Sequence, residues 1–271
     1  MNEIAQPIQR SPGTEPDPTE RIGLPNDSFW VVPGLLLAGP YPGSLDKAEA
    51  EQTLNDMLRI GIATFIDLTE EREIGRQGKP LRPYSPLLTK LARCRGVDVG
   101  YLRLAIRDVD IPQPWEMKAI IAAIEISLAT RRPVYVHCLG GVGRTGTVLG
   151  CYGIHRGLEA DTVLDKLAYL RRTTDRAGIE SPETAEQRAF VTSWPKSKAP
   201  GSLSGFARHE PTDEMDGYLG SAYPPYVKSE SQRQRWKLCI GIALKTSGQG
   251  EVDGVIRSWA DHIYWTRIDT E

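Results

Sequence analysis

A histidine, a cysteine and an arginine lie close together in a glycine-rich stretch near the middle of the chain. The stretch reads His137-Cys138-Leu139-Gly140-Gly141-Val142-Gly143-Arg144-Thr145-Gly146. Glycines let the backbone turn tightly and direct several N–H groups at one point, an arrangement that binds anions. Arg144 adds a planar group that can hold two phosphate oxygens. The stretch therefore predicts a phosphate-binding loop that consists of Leu139, Gly140, Gly141, Val142, Gly143 and Arg144.

Cys138 begins this loop, and its type and position predict a nucleophile. The positive surroundings that bind phosphate also stabilise a thiolate, which can attack phosphorus and form a covalent intermediate. Arg144 and the loop amides would then stabilise the oxygens of the transition state. Thr145 could donate its hydroxyl to the thiolate or assist its departure. His137 is interpreted as a residue that orients the loop by hydrogen bonding, not as a base.

A carboxylic acid is also needed, because the leaving oxygen of a phosphomonoester must receive a proton. Asp108 and Asp110 are both candidates, since they follow a predicted strand that should end beside the loop. The same carboxylate, once deprotonated, could activate the water that hydrolyses the intermediate. These considerations alone leave both aspartates open.

Short apolar segments alternate with segments of helical periodicity, and the strands and helices that they predict must position the loop. Strands are predicted over residues 29–32, 35–38, 62–68, 97–104 and 133–137. Helices are predicted over residues 44–59, 115–128, 144–156, 161–170 and 181–194, with Ser44, Asp161 and Ser181 as capping residues. The charged, proline-containing residues 70–88 are interpreted as a surface loop. The pattern indicates an α/β fold with a central, mostly parallel sheet flanked by helices.

The ends of the chain differ in composition from its middle. Residues 1–26 are polar and proline-rich and are interpreted as a disordered arm. The catalytic domain is predicted to span residues 27–194. A linker over residues 195–216 would connect it to a small extension of unknown role, residues 217–271, which is too short for a confident core of its own.

Composition narrows the classes of function. Across the 271 residues the formal net charge is −2, which argues against a dedicated nucleic-acid binder. The four cysteines show neither paired spacing nor a framework, so a disulfide scaffold or a structural zinc site is not expected; they are Cys94, Cys138, Cys151 and Cys239. No signal peptide and no run of roughly 18 apolar residues is present, so we expect a cytoplasmic protein without membrane contact. We expect no metal and no cofactor.

The loop resembles the signature of the protein tyrosine and dual-specificity phosphatase superfamily. The likeness rests on Cys138, five intervening residues and Arg144, with His137 before and Thr145 after. The Gly-Gly-Val-Gly sequence inside the loop is similar to that of the branch of small dual-specificity phosphatases that includes the cyclin-dependent kinase inhibitor type. The resemblance covers roughly residues 29–194 and implies that type of fold.

The acid loop of that family supplies a choice between the two aspartates. It commonly reads Ile-Pro-Asp, three residues and Pro. The segment that matches in register is Ile106-Arg107-Asp108-Val109-Asp110-Ile111-Pro112, with Arg107 where proline is usual. The match selects Asp108 as the acid and leaves Asp110 as the alternative. The family also implies a glutamine that places the hydrolytic water, for which Gln187 is the candidate.

The resemblance implies a protein phosphatase that works through a cysteinyl-phosphate intermediate. Without a tyrosine-recognition loop, its phosphorylated protein substrates would carry phosphotyrosine and also phosphoserine or phosphothreonine. The alternatives are a phosphoinositide or RNA 5′-triphosphate phosphatase, a non-catalytic phosphoprotein-binding module, and sulfur transfer by a rhodanese-like cysteine. The oligomeric state is left open.

Two further features have both a functional and a structural interpretation. Arg171, Arg172 and Arg176 could attract phosphorylated substrates, although a solvated helix end is the simpler interpretation. Cys94 or Cys151 could form a protective disulfide with an oxidised Cys138, although each is more simply a small apolar side chain.

Overall fold

The computed structural model describes residues 24–196, which form one five-stranded sheet with helices on both faces. The elements in chain order are β1 Phe29–Val32, β2 Leu36–Gly39, α1 Lys47–Arg59, β3 Thr64–Asp67, α2 Ser85–Arg95, β4 Gly100–Arg103, α3 Pro114–Ala129, β5 Val134–His137, α4 Gly143–His155, α5 Ala160–Arg171 and α6 Ala185–Thr192.

The sheet is mixed, with strand order β1-β2-β5-β3-β4. β1 pairs antiparallel with β2, and the three other neighbouring pairs are parallel. The predicted α/β class with a mostly parallel sheet is therefore confirmed. In the register, Gly39 and Asp67 both pair with His137, and Asp67 also pairs with Arg103. Four strands thus end at one edge of the sheet, where α/β proteins commonly place their ligands.

Alternate residues of the strands enter two hydrophobic cores on opposite faces of the sheet. One core joins α1 and α2 to the strands and includes Leu37, Phe65, Tyr101 and Tyr135. The other joins α3, α4, α5 and α6 to the strands and includes Leu36, Ile66, Leu102 and Val134. The three inner strands β2, β3 and β5 are buried on both faces, which explains why their sequences are largely apolar.

Residues 70–88 are not simply a surface loop, because α2 begins at Ser85. Leu88, Leu91 and Ala92 face the core at helical spacing, and the helix ends at Gly96 with a φ of 65°. The prediction failed because the apolar stripe of α2 is narrow and lies between charged and proline-rich residues. Tyr84, just before the helix, is also buried.

The three predicted helix caps are wrong. Asp46, not Ser44, caps α1 by accepting hydrogen bonds from the backbone N–H groups of Ala48 and Glu49. The N-cap of α5 is Glu159, and Asp161 lies in the first turn, where its charge still favours the helix dipole. α6 begins at Ala185 behind Thr184, four residues after Ser181.

Leu24, Pro25 and Asn26 belong with the folded domain, although the sequence predicted that they form part of the arm. Asn26 donates hydrogen bonds to the carbonyl groups of Pro40 (3.3 Å) and Tyr41 (3.0 Å). The rest of the arm, all of the linker except Pro195 and Lys196, and the extension lie outside the described residues. Within residues 24–196, none of the helices is both long and apolar enough to span a bilayer.

The contact between α4 and α6 generates a test of the packing around the loop. A Cβ built at Gly150 would lie 2.7 Å from Cγ1 of Val191, a stiff β-branched side chain. We expect Gly150→Ala to destabilise the protein by about 1–2 kcal/mol, since overpacking outweighs the helix propensity gained. Urea unfolding measures the change in free energy of unfolding.

The matched control is a double-mutant cycle with Val191→Ala. Removing the two Val191 methyl groups relieves the clash, so the double variant should be more stable than the sum of the two single changes by about 1 kcal/mol. Additive effects would show that the two helices do not meet at this pair.

Candidate active site

The glycine-rich loop connects β5 to α4 at the edge where the parallel strands end. Cys138 directly follows β5 and is 3% exposed, and the backbone N–H of Gly141 donates to its sulfur at 3.3 Å. Gly141 has a φ of 69°, and a Cβ there would lie 2.6 Å from the carbonyl carbon of Gly39. Only glycine fits this turn, which places the loop against the end of β2.

Arg144 lies in the first turn of α4 with only 2% of the residue exposed. Both terminal nitrogens donate to the Glu73 carboxylate at 2.7 Å, and Nη1 also donates to the carbonyl of Ile106 at 3.1 Å. Burial alone would lower the pKa of Arg144. The hydrogen bonds to Glu73 and the charges of Cys138 and Asp108 raise it instead, so the guanidinium stays positive.

The two candidate acids have different surroundings. Asp108 is 54% exposed at its side chain, and its Oδ1 lies 2.8 Å from Nη2 of Arg144. The Asp110 carboxylate accepts a hydrogen bond from the backbone N–H of Ile111 at 2.8 Å, so it stabilises its own loop. The turn between them requires Val109 at a φ of 62°. The structure therefore brings the carboxylate of Asp108 to Arg144, and the choice of Asp108 as the acid stays a prediction.

Gln187 lies on α6, is fully buried, and connects the acid loop to the glycine-rich loop. Its Nε2 donates to the carbonyl of Asp110 at 3.0 Å. A Cβ at Gly143 would lie 3.0 Å from Oε1 of Gln187, so the amide sits directly over the loop. The same Oε1 accepts from the backbone N–H of Thr184 at 3.3 Å, which completes a capping box for α6.

His137 is buried beneath the loop and contacts three groups. One ring nitrogen lies 2.6 Å from the hydroxyl of Tyr84, and the other lies 3.3 Å from the carbonyl of Cys138. Burial lowers the pKa of His137, although the Asp67 carboxylate at 3.9 Å opposes this shift. A neutral ring that bonds to the Cys138 carbonyl can orient the loop, and this role of His137 stays a prediction.

The Asp67 carboxylate at the end of β3 is the charged member of this buried network. Burial would raise the pKa of Asp67, but attraction to His137 and Arg103 and hydrogen bonds from Thr69 and Tyr101 lower it. Arg103 is always charged, so the carboxylate persists with a neutral histidine. Its oxygens accept from Thr69 Oγ1 and Tyr101 OH, each at 2.6 Å.

The hydroxyl of Thr145 forms no hydrogen bond to the Cys138 sulfur, although the sequence suggested that it could donate one. Its hydroxyl is fully buried, and it has no hydrogen-bond partner among residues 24–196. Cys151 is buried in the core on α4 and Cys94 is exposed on α2, both as free thiols. Burial raises the pKa of the Cys151 thiol. Among the described residues, no group of three or more histidines, cysteines or carboxylates is placed to hold a metal ion.

Sequence reasoning missed several residues that surround the loop. Glu73 binds Arg144, but it lies in the segment interpreted as a surface loop, and no local pattern marks it as buried. Arg76 comes from the same segment, and its Nη2 lies 3.3 Å from a Cβ built at Gly140. Arg176, which belongs to the cluster with both a functional and a structural interpretation, also contacts that position.

A family model agrees with this geometry. The model described as "PTP-SAK: Swiss Army Knife protein, DSP-PTPase phosphatase domain" matches residues 25–191. The chain belongs to this family. The predicted membership of the tyrosine and dual-specificity phosphatase superfamily is thereby confirmed, and residues 25–191 are a PTP-SAK phosphatase domain. The assignment to the branch of the cyclin-dependent kinase inhibitor type stays a prediction.

Individual relatives of this PTP-SAK domain match over limited lengths. One relative is the phosphatidylinositol 3,4,5-trisphosphate 3-phosphatase and protein-tyrosine-phosphatase PTEN1 of Arabidopsis thaliana. The two sequences are 36% identical over 69 residues, and this match covers 26% of this chain and 16% of that protein. A second relative is the uncharacterized protein MJECL20 of Methanocaldococcus jannaschii. The two sequences are 33% identical over 97 residues, and this match covers 36% of this chain and 60% of that protein. The matched part is thus less than two thirds of either relative.

Among solved structures, the active form of Tk-PTP is similar to this chain. The two share 25% sequence identity with a TM-score of 0.43, and the match covers 58% of this chain and 88% of that one.

The loop geometry generates a second prediction, on Gly141. We expect Gly141→Ala to cost about 3 kcal/mol or more of unfolding free energy, because the new Cβ adds a backbone clash to the strain of a positive φ. The control is Gly78→Ala, where φ is also 69° but no atom lies within 4 Å of the new Cβ. That change should cost only about 1–2 kcal/mol.

Chemical denaturation of both variants measures the difference. Similar losses for the two substitutions would mean that the loop can move away from β2, contrary to the close approach described above.

Proposed function

We propose that this PTP-SAK domain hydrolyses phosphomonoesters through a cysteinyl-phosphate intermediate. One observation carries the proposal: the buried Arg144, in the first turn of the helix that follows the Cys138 loop, forms an ion pair with the Asp108 carboxylate at 2.8 Å. A nucleophile, an anion-binding loop and an acid are therefore supplied from β5, α4 and the segment after β4.

In the first step, the Cys138 thiolate attacks phosphorus and the bond from phosphorus to the leaving oxygen breaks. Asp108 gives its proton to that oxygen, so the product leaves as a neutral alcohol or phenol. The amides of Leu139 to Gly143 and the Arg144 guanidinium stabilise the negative oxygens on phosphorus. Asp108 is half exposed, which lets it reach an entering substrate.

In the second step, water attacks the phosphorus of the intermediate, and the Asp108 carboxylate accepts a proton from this water. The sulfur–phosphorus bond breaks, which returns the thiolate and releases inorganic phosphate. We assign Gln187 to position this water, since its amide lies over Gly143 and bonds to the acid loop. The scheme uses only side chains and amides of the chain itself.

For the substrate, we propose first the class that the sequence resemblance implies, a protein carrying phosphotyrosine and also phosphoserine or phosphothreonine. A second candidate is favoured by a specific observation. Arg76 and Arg176 meet beside Gly140, and this concentration of positive charge suits a substrate with several phosphates, such as a phosphoinositide. A cytoplasmic location stays a prediction from the sequence.

Substitution of the nucleophile tests the reaction type. Wild-type protein should hydrolyse para-nitrophenyl phosphate in the presence of EDTA, and Cys138→Ser should lower kcat by about 10³-fold or more, because the hydroxyl is a far weaker nucleophile than a thiolate. Cys94→Ser, at an exposed site on α2, is the matched control and should retain wild-type turnover.

Two results would contradict this mechanism. Undiminished turnover by Cys138→Ser would show that another group attacks phosphorus. A wild-type protein that binds phosphopeptides without releasing phosphate would instead be a phosphoprotein-binding module.

Substitution of each aspartate tests the choice of acid. Asp108→Asn should lower kcat by about 10²-fold or more, because the leaving oxygen loses its proton donor. The loss should be larger for alkyl phosphates than for para-nitrophenyl phosphate, whose leaving group needs less assistance. Asp110→Asn, the control on the same loop, should change kcat less than about threefold. Equal losses from the two substitutions would refute the assignment of Asp108.

A further inference from the structure

Helix α3 has no side that is open to solvent. Between Trp115 and Ala129, none of its residues is exposed. By contrast, α1 and α5 each have an exposed side, which carries for example Glu49 on α1 and Asp165 on α5. A helix that is apolar around most of its circumference is normally buried on all sides, so α3 needs several packing partners.

Two other elements of the described domain pack against α3, the strand β5 and the helix α4. The side of α3 that faces the sheet carries Met117, Ile121, Ile124 and Leu128, which belong to the core shared with α4, α5 and α6. α4 itself packs against α3, α5 and α6, so α3 lies at the end of this layer of helices. Its opposite side is therefore turned away from the sheet.

That opposite side carries Trp115, Ala119, Ala122 and Ile126, which we call the outer face of α3. The spacing of four, three and four residues places them in one stripe along the helix. Ala119 is 2% exposed, Ala122 is 6% exposed, and the two larger side chains are partly buried. Alanines that faced water from an outer helix would be far more exposed, so another part of the chain covers the outer face.

A buried carboxylate at the border of the outer face also lacks a partner. Glu125 is 2% exposed, and its Oε1 lies 3.4 Å from Nη1 of Arg156. Its Oε2 is buried and has no hydrogen-bond partner within residues 24–196. Because Glu125 follows Ala122 by three positions, the two residues are neighbours on the helix surface. Buried carboxylate oxygens are normally hydrogen-bonded, so the covering segment is expected to supply a donor.

The extension at the end of the chain contains a segment of matching character, residues 236–244. It reads Trp236-Lys237-Leu238-Cys239-Ile240-Gly241-Ile242-Ala243-Leu244. Apolar residues recur at positions 236, 239, 240, 243 and 244, a spacing typical of a helix with one apolar side. The extension is short for a core of its own, so such a segment gains most by burial against the domain.

We propose that residues 236–244 dock along the outer face of α3 and make the extension part of the folded unit. Forty residues separate Lys196 from Trp236. Even if coiled as a helix they would span about 60 Å, which exceeds the diameter of about 40 Å for a domain of this size. The tether also gives the segment an effective concentration on the order of millimolar, which favours it over a second copy. The indole of Trp236 and the ammonium of Lys237 offer donors for Glu125.

Docking at this face would connect the extension to the loop that carries Asp108. α3 begins at Pro114, directly after that loop, and Trp115 is the first residue of the outer face. The backbone N–H of Gln113 donates to the Glu116 carboxylate at 2.7 Å, which holds the junction between loop and helix. The extension would therefore pack against the end of α3 that supports the loop.

Disulfide trapping tests the contact directly, because the segment carries a native thiol at Cys239. In the full chain, Ala119→Cys, Ala122→Cys and Ile126→Cys each place one thiol on the outer face. A disulfide forms only where the Cα atoms approach within about 7 Å. We expect at least one of these variants to form an intramolecular disulfide with Cys239 under mild oxidation, as measured by mass spectrometry of its peptides.

The matched control is Ala168→Cys, the same change at an exposed position on α5. Its disulfide with Cys239 should form about tenfold or more slowly, because the tether alone does not hold the two thiols together. All variants carry Cys94→Ser and Cys138→Ser, so that these thiols do not compete. The test requires no turnover, and failure of the proposed function would leave its result unchanged.

A charge on the outer face gives a second test by limited trypsin digestion of the full chain. Ala122→Glu should speed cleavage after Arg235, Lys237 and Lys245 by about tenfold or more, because a buried carboxylate there opposes docking. Ala168→Glu, the matched control, should leave the wild-type rate unchanged. Cleavage of Ala122→Glu that is confined to the extension shows that the domain itself remains folded.

Three results would overturn the proposal. Trapping of Cys239 that is no faster from the outer face than from Ala168→Cys would show that the segment lies elsewhere. Disulfides that join two chains would place a second copy on the outer face. Cleavage of the wild-type extension as fast as that of Ala122→Glu would show that it is not docked.

Discussion

Arg144 must remain charged although it is almost completely buried, and the arrangement of the site depends on how that charge is compensated. A buried cation without a partner costs several kcal/mol, so its neighbours are constrained. Glu73 compensates it from the segment after β3, and Asp108 and the carbonyl of Ile106 do so from the segment after β4. One guanidinium therefore connects α4 to two loops that are far apart in sequence.

This interaction gives the segment after β3 two roles. Its carboxylate at Glu73 fixes Arg144, and the hairpin that follows carries Arg76 toward Gly140. A similar division holds after α5, where the buried Arg171 fixes the backbone that carries Arg176. In both cases a buried charge holds the backbone that carries a second arginine.

Secondary structure that depends on neighbouring residues was predicted well around the glycine-rich loop. The stretch from His137 to Gly146 combines a buried strand, a glycine turn and a helix start within ten residues, so its conformation follows from short-range geometry. The acid loop shows the limit of this reasoning. Residue types left Asp108 and Asp110 equal, and the resemblance selected Asp108. Only the tertiary structure distinguishes their surroundings, because one carboxylate contacts Arg144 and the other bonds to its own backbone.

The sequence by itself determined the α/β class and the glycine turn between a strand and a helix, because periodicity and glycine spacing act over a few residues. The tertiary structure decided which distant groups surround that loop. Glu73 lies 71 residues from Arg144 and Gln187 lies 77 residues from Asp110, and these contacts depend on the strand order β2-β5-β3-β4 and on the packing of α6 against α4. Hydrophobic periodicity does not encode strand order, so neither contact could be found from the sequence.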